Sequence, residues 1–373
     1  MNRHNGEILL QIPSSNNLPT PILSHAFDKM SESYKIFWFK AILEESQGGE
    51  RRIEYRKLIE RMIVDAWYMV SEFKLNLGPA DTLEKIIKHI FEVSNLKSLD
   101  KAETIFAFIE KNDDKLLKTY MNTLTKNVPY RFQAPFMPEI SSNIWSNLAT
   151  TIGYTNSQAG LMYTIEYTRG LDSAIVLDEK WLDYINNNYG ILMGWADFNL
   201  INYLQRRNPT VPGISSKLYP PQERKLATVT KYWKGIIERQ PVYNIYTDEP
   251  MCIQDLSIDH FVPWSYIASD ELWDLTPTTK SVNSSKSNNL PSWERYFSGL
   301  CKVEYDAYLL ANKDEDVQKL FEKCSRENIN NEEIKYHLYR PNQTYIDFAG
   351  QLENILLPVY ESAKNMGFNE WTY

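Results

Sequence analysis

Apolar residues recur every three to four positions over most of the chain, which predicts a largely helical protein. From about residue 24, Tyr34, Phe37, Trp38, Ala41 and Ile42 trace one buried face. Leu58, Met62, Ala66, Met69 and Phe73 trace another across 53–73. Asp81 ahead of Thr82-Leu83-Glu84 predicts a helix start, with the helix running to about Val93, because a carboxylate there can take up orphan first-turn amides. Helical patterns also cover 101–111 and 114–125. Their aromatic stripes are read as core packing and need no cofactor to explain them.

Three prolines between Val128 and Pro138 break this pattern. Leu161–Thr168 and Ser173–Leu177, about the polar turn Arg169-Gly170-Leu171-Asp172, predict a β-hairpin. Residues 181–187 and 195–205 read as helical. Breaks follow at Asn208–Gly213 and Tyr219-Pro220-Pro221, then a helix from Gln222 to Glu238. Beyond Pro291, helical patterns return over 293–312, 315–325 and 345–364. The divisions expected are 1–127, an N-terminal helical domain; 128–220, a mixed connector; 221–300, a compact module; and 301–373, a C-terminal helical region.

Composition mostly excludes. The chain has 373 residues, 43% of them hydrophobic and 24% charged, which is the balance of a globular protein with real cores. A net charge of −8 argues against coating nucleic acid with the whole surface and leaves room for a local basic groove. Cys252, Cys301 and Cys324 form no CxxC pair, which speaks against a disulfide frame or a zinc knuckle and fits a reduced compartment. No secretory signal and no apolar run of membrane-spanning length is visible, so a cytoplasmic location is expected.

Chemistry concentrates in one segment. Ser257-Ile258-Asp259-His260-Phe261-Val262-Pro263-Trp264-Ser265 is followed by Leu272-Trp273-Asp274-Leu275-Thr276-Pro277, then by Val282-Asn283-Ser284-Ser285-Lys286-Ser287-Asn288-Asn289-Leu290-Pro291. A short apolar strand delivers an adjacent Asp and His, a second short strand follows, and Asn and Lys sit three apart at a helix start. Over about 241–295 the segment resembles the HNH nuclease family, also called ββα-metal or His-Me finger nucleases. The likeness extends to the HNH domain of RNA-guided CRISPR effector nucleases, with their Asp-His pair and Asn-x-x-Lys-Ser-x-Asn-x-Pro run.

The residue types suit phosphodiester hydrolysis, which needs an activated water and a cation to take up charge on the phosphate. The resemblance implies His260 as general base, Asp259 and Asn283 as catalytic metal ligands, and Lys286 as a phosphate holder. Two oxygen ligands plus waters suit Mg²⁺ or Mn²⁺ better than Zn²⁺. Adjacent strand residues face opposite ways, so a twist at the strand end is expected to let Asp259 reach the metal while His260 reaches the water. Asp274 departs from the family, which places Asn there to hold the loop bearing the histidine. An aspartate keeps the acceptor and loses the amide donors, so it either holds the loop or joins the metal site.

Basic residues flank the segment. Residues 206–240 hold Arg206, Arg207, Lys217, Arg224, Lys225, Lys231, Lys234 and Arg239 against Glu223 and Glu238; residues 275–302 add Lys280, Lys286, Arg295 and Lys302 against Glu294. With Tyr232 and Trp233 among them as stacking candidates, they predict a nucleic-acid groove. Other candidates are weaker. Asp172 with Asp178-Glu179-Lys180 has the residue types of a restriction-type metal site, but the acidic run reads as a helix start. His25, His89 and His337 lack partners at ligand spacing, Cys301 and Cys324 lack a nearby histidine, and no Gly-rich phosphate loop is present.

The fold class expected is therefore α+β, mostly α-helical, with a small ββα-metal (HNH) module between helical regions. The expected activity is metal-dependent endonuclease cleavage of DNA. The resemblance implies a restriction or anti-phage effector. The N-terminal helices carry aromatic faces but no charged constellation at ligand spacing, so that domain is expected to meet a protein partner and to contribute no catalytic group. The alternatives are a degenerate HNH fold that binds nucleic acid or protein without cutting, and an RNA nuclease.

Overall fold

Asp81 shows how local sequence sets an element: its Oδ1 accepts the Leu83 and Glu84 amides at 2.8 and 3.2 Å, and a helix runs from Thr82 to Val93. The same device starts helices at Asp114, Asp178 and Asp314. The computed structural model describes residues 2–4, 7–9, 11–137, 141–220 and 226–373. These residues form a mostly helical α+β fold with sheets of two or three strands. They fall into two compact units, Met1–Pro209 with Lys217–Pro220, and Thr210–Ser216 with Pro221–Tyr373.

The first unit contains helices Tyr34–Glu45, Tyr55–Ser71, Thr82–Val93, Ala102–Lys111, Lys115–Leu124 and Glu179–Arg207. The expected hairpin is present as Tyr163–Glu166 against Ala174–Leu177, antiparallel, with Tyr163 opposite Leu177. A third strand, Arg52–Glu54, pairs with the other side of Ala174–Leu177. Periodicity placed 53–54 in a helix; three residues that gain ladder hydrogen bonds became a strand instead, and the helix begins at Tyr55. Residues 179–207 hold two helical segments that meet at a kink at Asn188, whose φ of −124° and ψ of 16° are non-helical, in keeping with the two patterns expected over 181–187 and 195–205. The break at 128–138 holds a short helix, Val128–Arg131, and a 3-10 turn, Ala134–Phe136; Pro138 lies outside the described residues.

This unit also holds a charged cluster that no local spacing announced. Lys40, buried, places its ammonium 2.6 Å from Asp197 and 2.5 Å from the Tyr219 hydroxyl. Burial favours the neutral amine, yet Tyr219, Asp65 and Asp197 hold Lys40 above the usual lysine range. Asp178 and Glu179 open a helix, as the acidic run implied.

The second unit is built around two packed cores. Val229, Tyr232, Trp233 and Ile236 of helix Leu226–Ile237 meet Leu256, Ile258 and Leu275, and on the other side Ala307, Val317 and Cys324. Residues 222–225, where that helix was expected to start, lie outside the described residues. In the second core, Phe261, Val262, Tyr266 and Trp273 pack with Leu300, Tyr308, Phe348, Leu352 and Tyr360 from the C-terminal helices. Between these cores, strand Leu256–His260 pairs antiparallel with Leu275–Thr279, and helix Lys280–Lys286 follows directly.

Candidate active site

The expected strand–loop–strand–helix is present, and the strand's pleat sorts its side chains. Alternate residues of a strand share a face, so Ser257 and Asp259 point together. Both meet the module helix: the Asn283 amide nitrogen donates to Ser257 Oγ at 2.9 Å and to the Ile258 carbonyl at 3.0 Å, while Lys286 reaches Asp259. A two-residue step along the strand thus matches a three-residue step along the helix. Sequence spacing had put Asn283 and Lys286 on one face, and that face lies against the strand.

The Asp259 carboxylate is held from two sides. Lys286 Nζ lies 3.1 Å from both of its oxygens, and the Tyr246 hydroxyl donates to Oδ2 at 2.6 Å. Lys286 Nζ also donates to the His260 carbonyl at 2.6 Å. Lys286 is 0% exposed, so its ammonium is an internal cation and does not face a phosphate from the surface, in contrast to the role expected from sequence. The physical reason is that this face of the helix lies against strand Leu256–His260, where the ammonium meets Asp259 and the His260 carbonyl. Burial keeps the Tyr246 phenol well above its usual pKa, with the Asp259 charge adding to the effect, so it stays a hydrogen-bond donor.

His260 ends the strand and leaves its opposite face. Its Nε2 lies 3.1 Å from Asp270 Oδ1 in the loop between the strands. Asp259 and His260 are 4% and 5% exposed. Neither Tyr246 nor Asp270 was found by sequence reasoning: Tyr246 lies upstream of the motif, and Asp270 sits among other polar loop residues with no spacing to single it out.

Asp274 takes the loop-holding place. Its Oδ1 accepts the Val262 amide at 2.8 Å and its carbonyl accepts the Phe261 amide at 2.8 Å, which pins the chain just after His260. At 0% exposure it faces no phosphate path. Its Oδ2 accepts no hydrogen bond among the described residues. Burial pushes the carboxyl well above its usual range, opposed by the Val262 amide and Lys286 and reinforced by Asp259 and Glu271.

For a divalent cation the available donors are oxygens. The Asn283 amide nitrogen is fixed on the strand, and Asn283 Oδ1 accepts nothing among the described residues; the Asp259 carboxylate has lone pairs beyond those already engaged. No group of three or more His, Cys, Asp or Glu side chains suited to a metal occurs among the described residues. The donor set fits a hard, largely hydrated ion such as Mg²⁺ rather than a zinc cage.

The flanking cations divide. Lys231, Lys234, Lys280 and Arg295 are exposed, whereas Lys217 is buried and Arg239 is paired with Asp314 at 2.9 Å. Arg224 and Lys225 lie outside the described residues. Tyr232 and Trp233 are core residues, and Trp233 Nε1 donates to the Leu275 carbonyl at 3.2 Å, so neither is placed to stack on a base.

No curated protein and no solved structure matches the chain. The model of the HNH endonuclease family matches residues 244–292, a span that opens at Asn244 just before Tyr246 and closes just past Pro291. The two strands, the Asp259–His260 step and the helix bearing Asn283 and Lys286 are thus those of an HNH endonuclease domain.

Proposed function

We propose that this protein is a metal-dependent endonuclease that hydrolyses phosphodiester bonds in DNA, with His260 as general base. The observation that carries this reading is the Asp259–His260 step at the end of a paired strand, inside a span that matches a nuclease family. An imidazole is the ordinary side chain best able to take a proton near neutral pH. His260 takes the proton from an attacking water, a bond forms from that oxygen to phosphorus, and the bond to the 3′ oxygen breaks, that oxygen leaving as an alkoxide that takes a proton from solvent water. A 5′-phosphate and a 3′-hydroxyl remain.

Asp259 and Asn283 would hold a divalent cation, Mg²⁺ or Mn²⁺, whose chemistry is to neutralise charge building on the phosphate. The chain's own contribution is positional. Asn283 ties the helix to the strand, Tyr246 and Lys286 fix the Asp259 carboxylate, and Asp274 pins the turn after His260. Lys286 acts through Asp259 and the His260 carbonyl. Exposed Lys231, Lys234, Lys280 and Arg295 supply positive charge in the same unit for a phosphate backbone. A restriction or anti-phage role in the cytoplasm is part of this reading, and so is a protein partner at the N-terminal helical region, whose helices carry no charged constellation at ligand spacing. No helix among the described residues is long and apolar enough to cross a membrane.

Supercoiled plasmid incubated with Mg²⁺, Mn²⁺ or EDTA, with wild type beside His260→Ala, tests the reading. Cutting that needs the metal and falls about a hundredfold to ten-thousandfold in the variant is expected. Equal cutting by both proteins moves the active site elsewhere. Binding of DNA without cutting, under every metal, makes the domain a binder, and cleavage confined to RNA changes the substrate.

A further inference from the structure

We infer that Asp270 is a positioning residue for His260, selecting which imidazole nitrogen carries the proton; this rests on the reading of His260 as the base. Asp270 Oδ1 lies 3.1 Å from His260 Nε2, and both side chains are nearly enclosed, at 9% and 5% exposure. An ionised carboxylate only accepts hydrogen bonds. The proton of this contact therefore sits on Nε2, and the basic lone pair of the neutral ring sits on Nδ1. Asp259 cannot do this work from the neighbouring position, because the strand turns its side chain to the other face, toward Lys286 and Tyr246.

The loop that presents Asp270 is braced from outside the motif. Asn328, at the end of helix Glu315–Asn328, donates to the Asp270 carbonyl at 2.8 Å. Asn330 donates to Glu271 Oε1 at 2.5 Å, and Trp273 Nε1 donates to Glu271 Oε2 at 3.2 Å. Lys286 meanwhile holds the His260 carbonyl at 2.6 Å. The ring is thus fixed at its far nitrogen and its backbone at the carbonyl, from two different elements. A base held this way reaches its geometry without reorganising during the reaction, and this is how an outer carboxylate acts through a histidine.

The test uses the full chain with ¹⁵N-labelled histidine and plasmid substrate. In wild type the nitrogen spectrum of the neutral His260 ring is expected to show the proton on Nε2; in Asp270→Ala the two tautomers mix. Turnover in Asp270→Ala is expected to fall about tenfold to a hundredfold with KM unchanged. Asp270→Asn, which keeps an acceptor oxygen, is expected to fall between, and it replaces the alanine variant if that one does not fold. A wild-type spectrum with the proton on Nδ1 overturns the inference, as does unchanged turnover in Asp270→Ala where His260→Ala is inactive. If His260→Ala still cuts, the reading of the base fails, and the spectra alone decide the role of Asp270.

Discussion

Lys286 Nζ sits 3.1 Å from each carboxylate oxygen of Asp259, with both residues buried. Taking a lone charge out of water is costly, so each of these charges depends on the other. Lys286→Ala is expected to destabilise the protein by about 3–5 kcal/mol, the usual cost of leaving a buried charge unpaired. A urea titration measures this. The salt dependence of DNA binding should keep its slope, because no phosphate contact is lost. A flattened slope at unchanged stability would return Lys286 to the role of phosphate holder.

Tyr246 completes the cage around Asp259. Tyr246→Phe removes a 2.6 Å hydrogen bond to a charged acceptor and alters little of the packing among Tyr246, Tyr296 and Trp371. A loss of about 1.5–3 kcal/mol is expected, read by urea unfolding. No loss would mean that Lys286 alone satisfies the carboxylate.

Asp274 gives a pH signature. Its folded-state pKa is raised by burial, so its contribution to stability is fully present below the unfolded value of about 3.9 and is lost as pH rises toward the folded value. Asp274→Asn keeps an acceptor for the Val262 amide and never ionises. The variant should match wild type near pH 4 and exceed it at pH 7, by about 1.4 kcal/mol for each pKa unit of the shift titrated. Thermal midpoints at both pH values check this, and a constant difference would show that Asp274 is not held up in the fold.

The basic helix before the motif has two unlike faces. Trp233→Ala should cost about 3–5 kcal/mol by emptying a core position. Lys231→Ala and Lys234→Ala should leave stability nearly unchanged and each lower the salt slope of DNA binding by about 0.9. Measuring affinity across a salt series, beside unfolding curves, separates the two faces.

The ββα module is expected not to fold without its C-terminal support. Ending the chain at Leu300 removes Tyr308, Phe348, Leu352 and Tyr360 and exposes Phe261, Val262 and Trp273 next to His260. The fragment 221–300 should show no cooperative thermal transition, whereas the fragment 221–373 should. A cooperative transition in the shorter fragment would show that the module carries its own core.

Much of this site was legible in the chain because its signals are local. Asp81, Asp114 and Asp178 cap helices through amides two or three residues away, and the hairpin at 163–177 closes over a short turn. The Asp259–His260 strand, its partner and the helix with Asn283 follow each other within thirty or so residues, and their residue types match a nuclease family. Short range also explains the miss at 53–54, where a strand partner outweighed the local pattern.

Burial was decided by tertiary structure. The sequence determined that Asn283 and Lys286 share a helix face, and that Asp259 and His260 point opposite ways. It did not determine what lies across from either face: the Asn283 and Lys286 face meets the strand, His260 meets Asp270 in the loop, and chain outside the motif supplies Tyr246 and Asn328. Helices from beyond residue 293 pack against Tyr232 and Trp233 and turn them inward, while Lys286 is buried against the motif's own strand. Tyr246 arrives at Asp259 from one side of the motif, and Asn328 braces the Asp270 loop from the other. Periodicity states only which residues face together; whether that face meets water, a core or another charge depends on which surfaces the fold brings against it.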